Sequence, residues 1–163
     1  ALTRMLYLRP LAGLYNPYKA ERFRELLEST NDRIVVFYNF REEFEIIADV
    51  CRTLEKPLSQ INGDGKDLTA YREKSNSVTA VQYQAGSSGE NLQLANKAIY
   101  YSPPLSNIQF EQSKGRIRRD GQKSSHCFYW YLVTSGSIEE KIYDTLKQRK
   151  DYTERLFEGD EEN

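Results

Sequence analysis

Residues 33–56 read "RIVVFYNFREEFEIIADVCRTLEK", and this stretch decides the fold. Its first six residues are short, β-branched and aromatic, the composition of a buried strand. The period then changes. Phe44, Ile47, Ala48, Cys51 and Leu54 recur at spacings of three and four, which places them on one apolar helix face. Asn39, with Glu42 three residues later, reads as a capping box that starts the helix directly after the strand, and Pro57 stops it. A buried strand handed straight to an amphipathic helix is the unit of a layered α/β fold.

The same rhythm extends outward. "LSQIN" (58–62) is a weaker strand, Gly63-Asp64-Gly65 a turn, and 67–74 a short helix. Residues 77–84 form a strand, 85–91 a glycine–serine loop, and 97–102 a strand ended by Pro103-Pro104. Residues 109–119 can be helical, and 126–133 read as a long aromatic strand. Ser137 and Glu140 make a capping box for a last helix carrying Ile138, Ile142 and Leu146, expected to run to about residue 157. The alternation predicts an α/β fold with a mainly parallel sheet, whose ligands sit at the carboxyl ends of the strands. The Asn39 loop, the Gly63 turn, the 86–89 loop and residues 112–122 are all expected near that edge. One domain is expected over 1–163, with a helical or irregular lead-in (1–30), a core (31–157) and an acidic tail (158–163).

Bulk properties narrow the class. The 163 residues are 39% hydrophobic and 29% charged, which argues against extensive disorder. No apolar run approaches the roughly 20 residues that span a bilayer. Arg4, Arg9 and Pro10 break the N-terminal stretch, so no signal peptide is read there. The start at Ala1 suggests a piece of a longer protein. Cys51 and Cys127 each lie in an apolar segment and are expected to be free thiols in a reducing, intracellular setting, cytoplasmic or nuclear. A single histidine and two scattered cysteines do not suggest a zinc site, and no metal ligand is assigned.

Net charge is −1, yet "QSKGRIRRDGQ" (112–122) gathers Lys114, Arg116, Arg118 and Arg119 against Asp120 alone. On a helix Gln112, Arg116 and Arg119 share a face, and two guanidinium forks beside an amide can grip phosphate oxygens at fixed angles. A solvated basic helix end is the alternative. Gly86-Ser87-Ser88-Gly89 offers amides and hydroxyls to a phosphate, or simply joins a strand to the next element. No P-loop is present: five residues separate Gly115 from Gly121, Gln122 precedes Lys123, and Asp67 stands where "GDGKD" would need Ser or Thr.

Taken in order, these segments resemble the second, C-terminal RecA-like lobe of superfamily 2 helicases, nearest to Swi/Snf-type DNA translocases and their phage-like relatives. Residues 112–122 fit helicase motif VI, Q-x-x-G-R-x-x-R-x-G-Q, and "AGSSGENLQLANKAIYY" (85–101) looks like motif V with its following strand. "RIVVFYNF" (33–40) resembles motif IV, "INGDG" the turn after it, and "LTRMLYLRPLAGL" with Lys19 the lead-in to this lobe. Ser102, Leu105-Ser106-Asn107, Arg118 and Glu90 depart from the Swi/Snf pattern.

The resemblance implies a RecA-like (P-loop NTPase-like) three-layer sandwich that lacks its own P-loop. It implies ATP and Mg²⁺ held mainly by a first RecA-like lobe, with Arg119 as arginine finger and Arg116 beside it. Gln112 would order the site, and Gly89 and Glu90 would lie near the ribose or the cleft. Asn39, Phe40, Gly63, Ser87 and Ser88 would touch the sugar-phosphate backbone of DNA, or of RNA. The fragment would be inactive alone, and no membrane partner is implied. The alternative is a non-enzymatic α/β module that binds nucleic acid through its basic segment.

Overall fold

The computed structural model describes residues 2–14, 16–85, 89–153 and 156. In chain order the elements are α1 (Leu2–Leu14), α2 (Pro17–Glu28), β1 (Ile34–Tyr38), α3 (Arg41–Thr53), β2 (Leu58–Asn62) and β3 (Gly65–Asp67). They continue with α4 (Thr69–Glu73), β4 (Val78–Gln82), β5 (Lys97–Tyr100), α5 (Asn107–Lys114), β6 (Phe128–Tyr131) and α6 (Ile138–Lys147). The six strands form one sheet in the order β3-β2-β4-β1-β5-β6. Every pair is parallel except β2–β3, an antiparallel hairpin.

β1 lies in the interior of this sheet, and all five of its residues are buried. Strand side chains alternate between faces. Accordingly Ile34, Val36 and Tyr38 join one core cluster, with Phe23 and Leu27 of α2 and Ile47 and Cys51 of α3. Val35 and Phe37 join the other, with Met5 and Ala12 of α1, Phe110 of α5, and Ile142 and Leu146 of α6. Helices therefore cover both faces, which is why β1 reads as a continuous apolar run. Phe23 and Leu27 are fully buried, so α2 is a working part of the core; each such side chain contributes about 1.5–3 kcal/mol by burial.

Several boundaries differ from expectation. β3 is an addition: once Gly65 turns the chain back, Lys66 pairs with Ile61 although all three β3 residues are exposed. α3 is capped at Phe40 and not Asn39, and the carboxylate that reaches back belongs to Glu43 and not Glu42. At α6 the Ser137 hydroxyl accepts from the Glu139 amide, while Glu140 accepts from the Gly136 amide, so the box is displaced by one residue. α6 also ends at Lys147 and does not run to about 157; Arg149 lies in the left-handed region at φ 58°, which breaks the helix. The acidic tail lies outside the described residues. No helix among the described residues is long and apolar enough to cross a membrane, and both cysteines are free.

Candidate functional site

Residues 115–122 form the densest constellation. α5 begins at an N-cap on Ser106 and ends at Lys114, so Gln112, Arg116 and Arg119 do not share a helix face as the spacing predicted. The reason is burial. Ile117 is fully buried and Arg116 is only 9% exposed, so the chain turns inward where a continued helix would have carried both around its axis. The Arg116 guanidinium donates to the Glu90 carbonyl at 2.9 Å, and the Arg116 carbonyl accepts from the Leu92 amide at 2.9 Å. Gln122 donates through Nε2 to the carbonyls of Ala95 (2.8 Å) and Ile117 (2.9 Å). Gly121 stands at φ 90°, a left-handed conformation that favours glycine.

These bonds lace 115–122 onto the segment 89–96. Arg116 meets it at Glu90, and Gln122 meets it at Ala95, close to the amino end of β5. The expectation that 112–122 lies on or near the carboxyl edge holds for its start, where Gln112 and Arg116 stand beside Phe37 and Tyr83, and is corrected for its end, where Gln122 reaches Ala95 just ahead of β5. Arg119 is exposed, with its guanidinium on the Asn91 side-chain oxygen. Gln112 is exposed beside Gln109, Tyr83 and Arg116. Burial pulls the Arg116 pKa below its ordinary value, and the nearby Arg119 charge adds to this while Glu90 opposes it. Glu90 is half-buried and ion-paired to Lys66, whose hydrogen bond holds its carboxyl below the usual range. Gly89 is exposed at φ 77°.

At the carboxyl edge the structure revises the expected nucleic-acid contacts. Asn39 is 7% exposed, and its side-chain amide donates to Ser102 Oγ (2.9 Å) and the Pro103 carbonyl (2.7 Å). Its backbone amide and that of Phe40 both donate to Glu43 Oε1, at 3.0 and 2.9 Å. Asn39 thus braces the loop and offers no free donor to a phosphate. Phe40 is half-buried under the Arg9 guanidinium, 5.2 Å from the ring centre. Gly63 is exposed at the β2–β3 turn, at the mouth of a cavity of about 380 Å³ lined also by Arg41, Asn62 and Gln82. Ser87 and Ser88 lie outside the described residues.

Comparison with known proteins adds the decisive observation: residues 18–121, more than half of the chain, match the family described as helicase conserved C-terminal domain. The chain belongs to this helicase C-terminal domain family. The helicase domain is 29% identical over 161 residues to the DNA repair and recombination protein RAD54 of Saccharomyces cerevisiae, covering 86% of this chain and 18% of that protein. It is 32% identical over 128 residues to Protein CHROMATIN REMODELING 25 of Arabidopsis thaliana, covering 72% of this chain and 14% of the relative. A RAD54-like protein of Gallus gallus is 28% identical over 130 residues, 75% of this chain and 18% of its own length. The helicase domain thus spans less than a fifth of these relatives, which carry the Swi/Snf-type kinship expected from motifs V and VI.

Among solved structures, the C-terminal part of the Fun30 ATPase domain superposes with a TM-score of 0.70 over 77% of this chain and 44% of that one, at 23% identity. That likeness bears on the fold alone, and the fold it supports is the RecA-like lobe. Sequence reasoning about the helicase domain missed one cluster. Arg9, Lys19, Glu43 and Glu139 are all buried at the carboxyl edge. They stand far apart in the sequence, and no motif spacing joins them.

Proposed function

We propose that this chain is the C-terminal lobe of a two-lobe, ATP-dependent DNA translocase and supplies Arg119 and Arg116 to ATP held on a first lobe. The observation that carries the reading is the lacing of motif VI onto motif V: Arg116 on the Glu90 carbonyl, Arg119 on Asn91. A buried, bonded guanidinium beside an exposed one presents a stiff cationic surface, with its geometry set before any phosphate arrives.

The donor chemistry fits the phosphate end of ATP. Two guanidiniums can take oxygens of a terminal phosphoryl group in the forked geometry that ammonium groups lack. Among the described residues no group of three or more His, Cys, Asp or Glu is placed to hold a metal ion. Mg²⁺ and the rest of the triphosphate are assigned to the first lobe. ATP supplies the phosphoryl group whose transfer to water drives the lobes together and apart. Arg119 stabilises charge on its oxygens in the transition state, and Arg116 orients Arg119 and shares the anion. Gln112 and Glu90 flank this surface, and Gly63 with Phe40 faces the sugar-phosphate backbone, contacts that carry little sequence information.

The test is ATP hydrolysis by the chain alone and by the chain joined to an ATP-binding first lobe. The proposal expects no turnover alone and DNA-stimulated turnover when joined. Robust hydrolysis by the lone chain contradicts it. Tight, salt-dependent DNA binding by the lone chain that Arg116→Ala and Arg119→Ala abolish would favour the non-enzymatic module instead.

A further inference from the structure

We infer that the lead-in helices are latched to the carboxyl edge by a buried four-charge cluster, and that Glu43 is the positioning residue connecting this latch to the Asn39–Phe40 loop. The cluster draws on four separate helical elements and is neutral as a set: Arg9 of α1, Lys19 of α2, Glu43 of α3 and Glu139 of α6, each at most 9% exposed. Lys19 Nζ donates to both oxygens of Glu139, at 2.8 and 2.7 Å. Glu139 Oε1 also accepts from the Thr134 amide at 3.2 Å, and the Thr134 hydroxyl donates to the Ala12 carbonyl of α1 at 2.6 Å. Arg9 lies over Phe40 and donates to the Pro103 carbonyl at 3.4 Å.

Glu43 divides its two oxygens between the loop and the latch. Oε1 takes the Asn39 and Phe40 amides and the Ser102 hydroxyl, the last at 2.8 Å. Oε2 points at α1 and α2. It and Lys19 Nζ each lie 3.4 Å from where a Cβ on Gly13 would stand, and Glu139 Oε2 lies 3.9 Å from the same point. Gly13 thereby lets α1 close over the charges without a side chain between them. Lys19 favours the buried Glu43 carboxylate through space, as its hydrogen bonds go to Glu139, and Arg9 also feels the Glu43 charge. A buried charge left without its counter-charge is strongly destabilised, so withdrawing α1 and α2 must loosen Glu43 and the loop amides it holds.

This rests on the proposed reading only where it gives the latch a purpose: movement at the lead-in reaches the loop that faces nucleic acid. The latch itself is tested in the chain alone, without ATP or DNA, so failure of the translocase reading leaves it standing and its own failure leaves that reading standing. Amide hydrogen exchange is followed by NMR at Asn39 and Phe40, with Val36 and Ala80 as central-strand references. Lys19→Met should speed exchange at Asn39 and Phe40 by about tenfold or more beyond any change at the references, because the buried Glu43 carboxylate that holds both amides loses a nearby counter-charge. Glu139→Gln should have the opposite consequence, because Glu43 becomes the only carboxylate facing Lys19, and exchange at the two amides should hold or slow. A merely structural cluster would loosen with both changes. If Lys19→Met does not fold, the volume-matched pair Lys19→Met with Glu139→Leu removes both charges together and should show the same acceleration. Exchange at Asn39 and Phe40 that tracks the references in the variants removing Lys19, or that accelerates in Glu139→Gln, overturns the inference.

Discussion

Two arginines three residues apart end in different environments, and their substitutions should separate accordingly. Arg116 is buried against the Glu90 carbonyl, whereas Arg119 is exposed. Arg116→Ala should lower folding stability by about 1–3 kcal/mol, through lost packing and an orphaned acceptor, while Arg119→Ala stays within about 0.5 kcal/mol. Urea denaturation of the two variants checks this, and equal losses would remove the division of roles. Glu43 makes a second prediction at this scale. Burial raises its pKa, against the opposing Phe40 and Asn39 amides, Lys19 and Ser102. The folded state therefore holds that proton to higher pH than the unfolded chain does. From the ordinary carboxylate range up to the folded pKa, the contribution of Glu43 to stability falls as pH rises. The stability of the wild type relative to Glu43→Gln should increase as pH is lowered through that window. A gap that narrows on acidification, or does not move, contradicts the assigned direction.

At the scale of elements, the lead-in is part of the fold and should behave as such. Phe23 and Leu27 of α2 are fully buried against the cluster that includes Tyr101 and Ile99. Phe23→Ala should cost about 3–5 kcal/mol, measured by thermal or urea unfolding, whereas a loosely attached segment would lose far less. Elements with a strong local period were legible beforehand. The switch from apolar run to three-and-four spacing marks β1 and α3, and the strands expected over 77–84 and 97–102 form over Val78–Gln82 and Lys97–Tyr100. What escaped lacks local periodicity or depends on distant partners. β3 exists because Gly65 folds it onto β2, not because three exposed polar residues favour a strand. α5 stops early because Ile117 and Arg116 are claimed by the core and by Glu90, contacts that no helical wheel contains. The motif residues of 112–122 could be picked from spacing, but their helical arrangement could not. Asn39 is expected to touch the sugar-phosphate backbone, and the partners of its buried side chain, Ser102 and Pro103, stand more than 60 residues away in sequence. Arg9, Lys19, Glu43 and Glu139 are spread over four helices, and only the folded layers show that their charges converge.

At the scale of the whole molecule, the sequence carries clustered arginines, which the proposed reading turns toward a phosphate, but no Walker loop to hold a triphosphate. Its family membership and its small share of its relatives' length both fit one lobe of a larger motor. Under the proposed reading the division of labour follows from chemistry: a lobe that stabilises transferred charge need not bind the nucleotide tightly, and separating the two functions lets lobe closure control turnover. The most direct measurement compares wild type and Arg119→Ala in the chain joined to an ATP-binding first lobe, under saturating DNA, with ATP turnover and nucleotide affinity measured on the same preparations. Turnover should fall by about a thousandfold or more while ATP affinity stays within a few fold, the signature of charge stabilisation confined to the transition state. Unchanged turnover, or a loss that comes entirely from weaker ATP binding, would contradict the assignment of Arg119 as the residue this lobe delivers to the nucleotide.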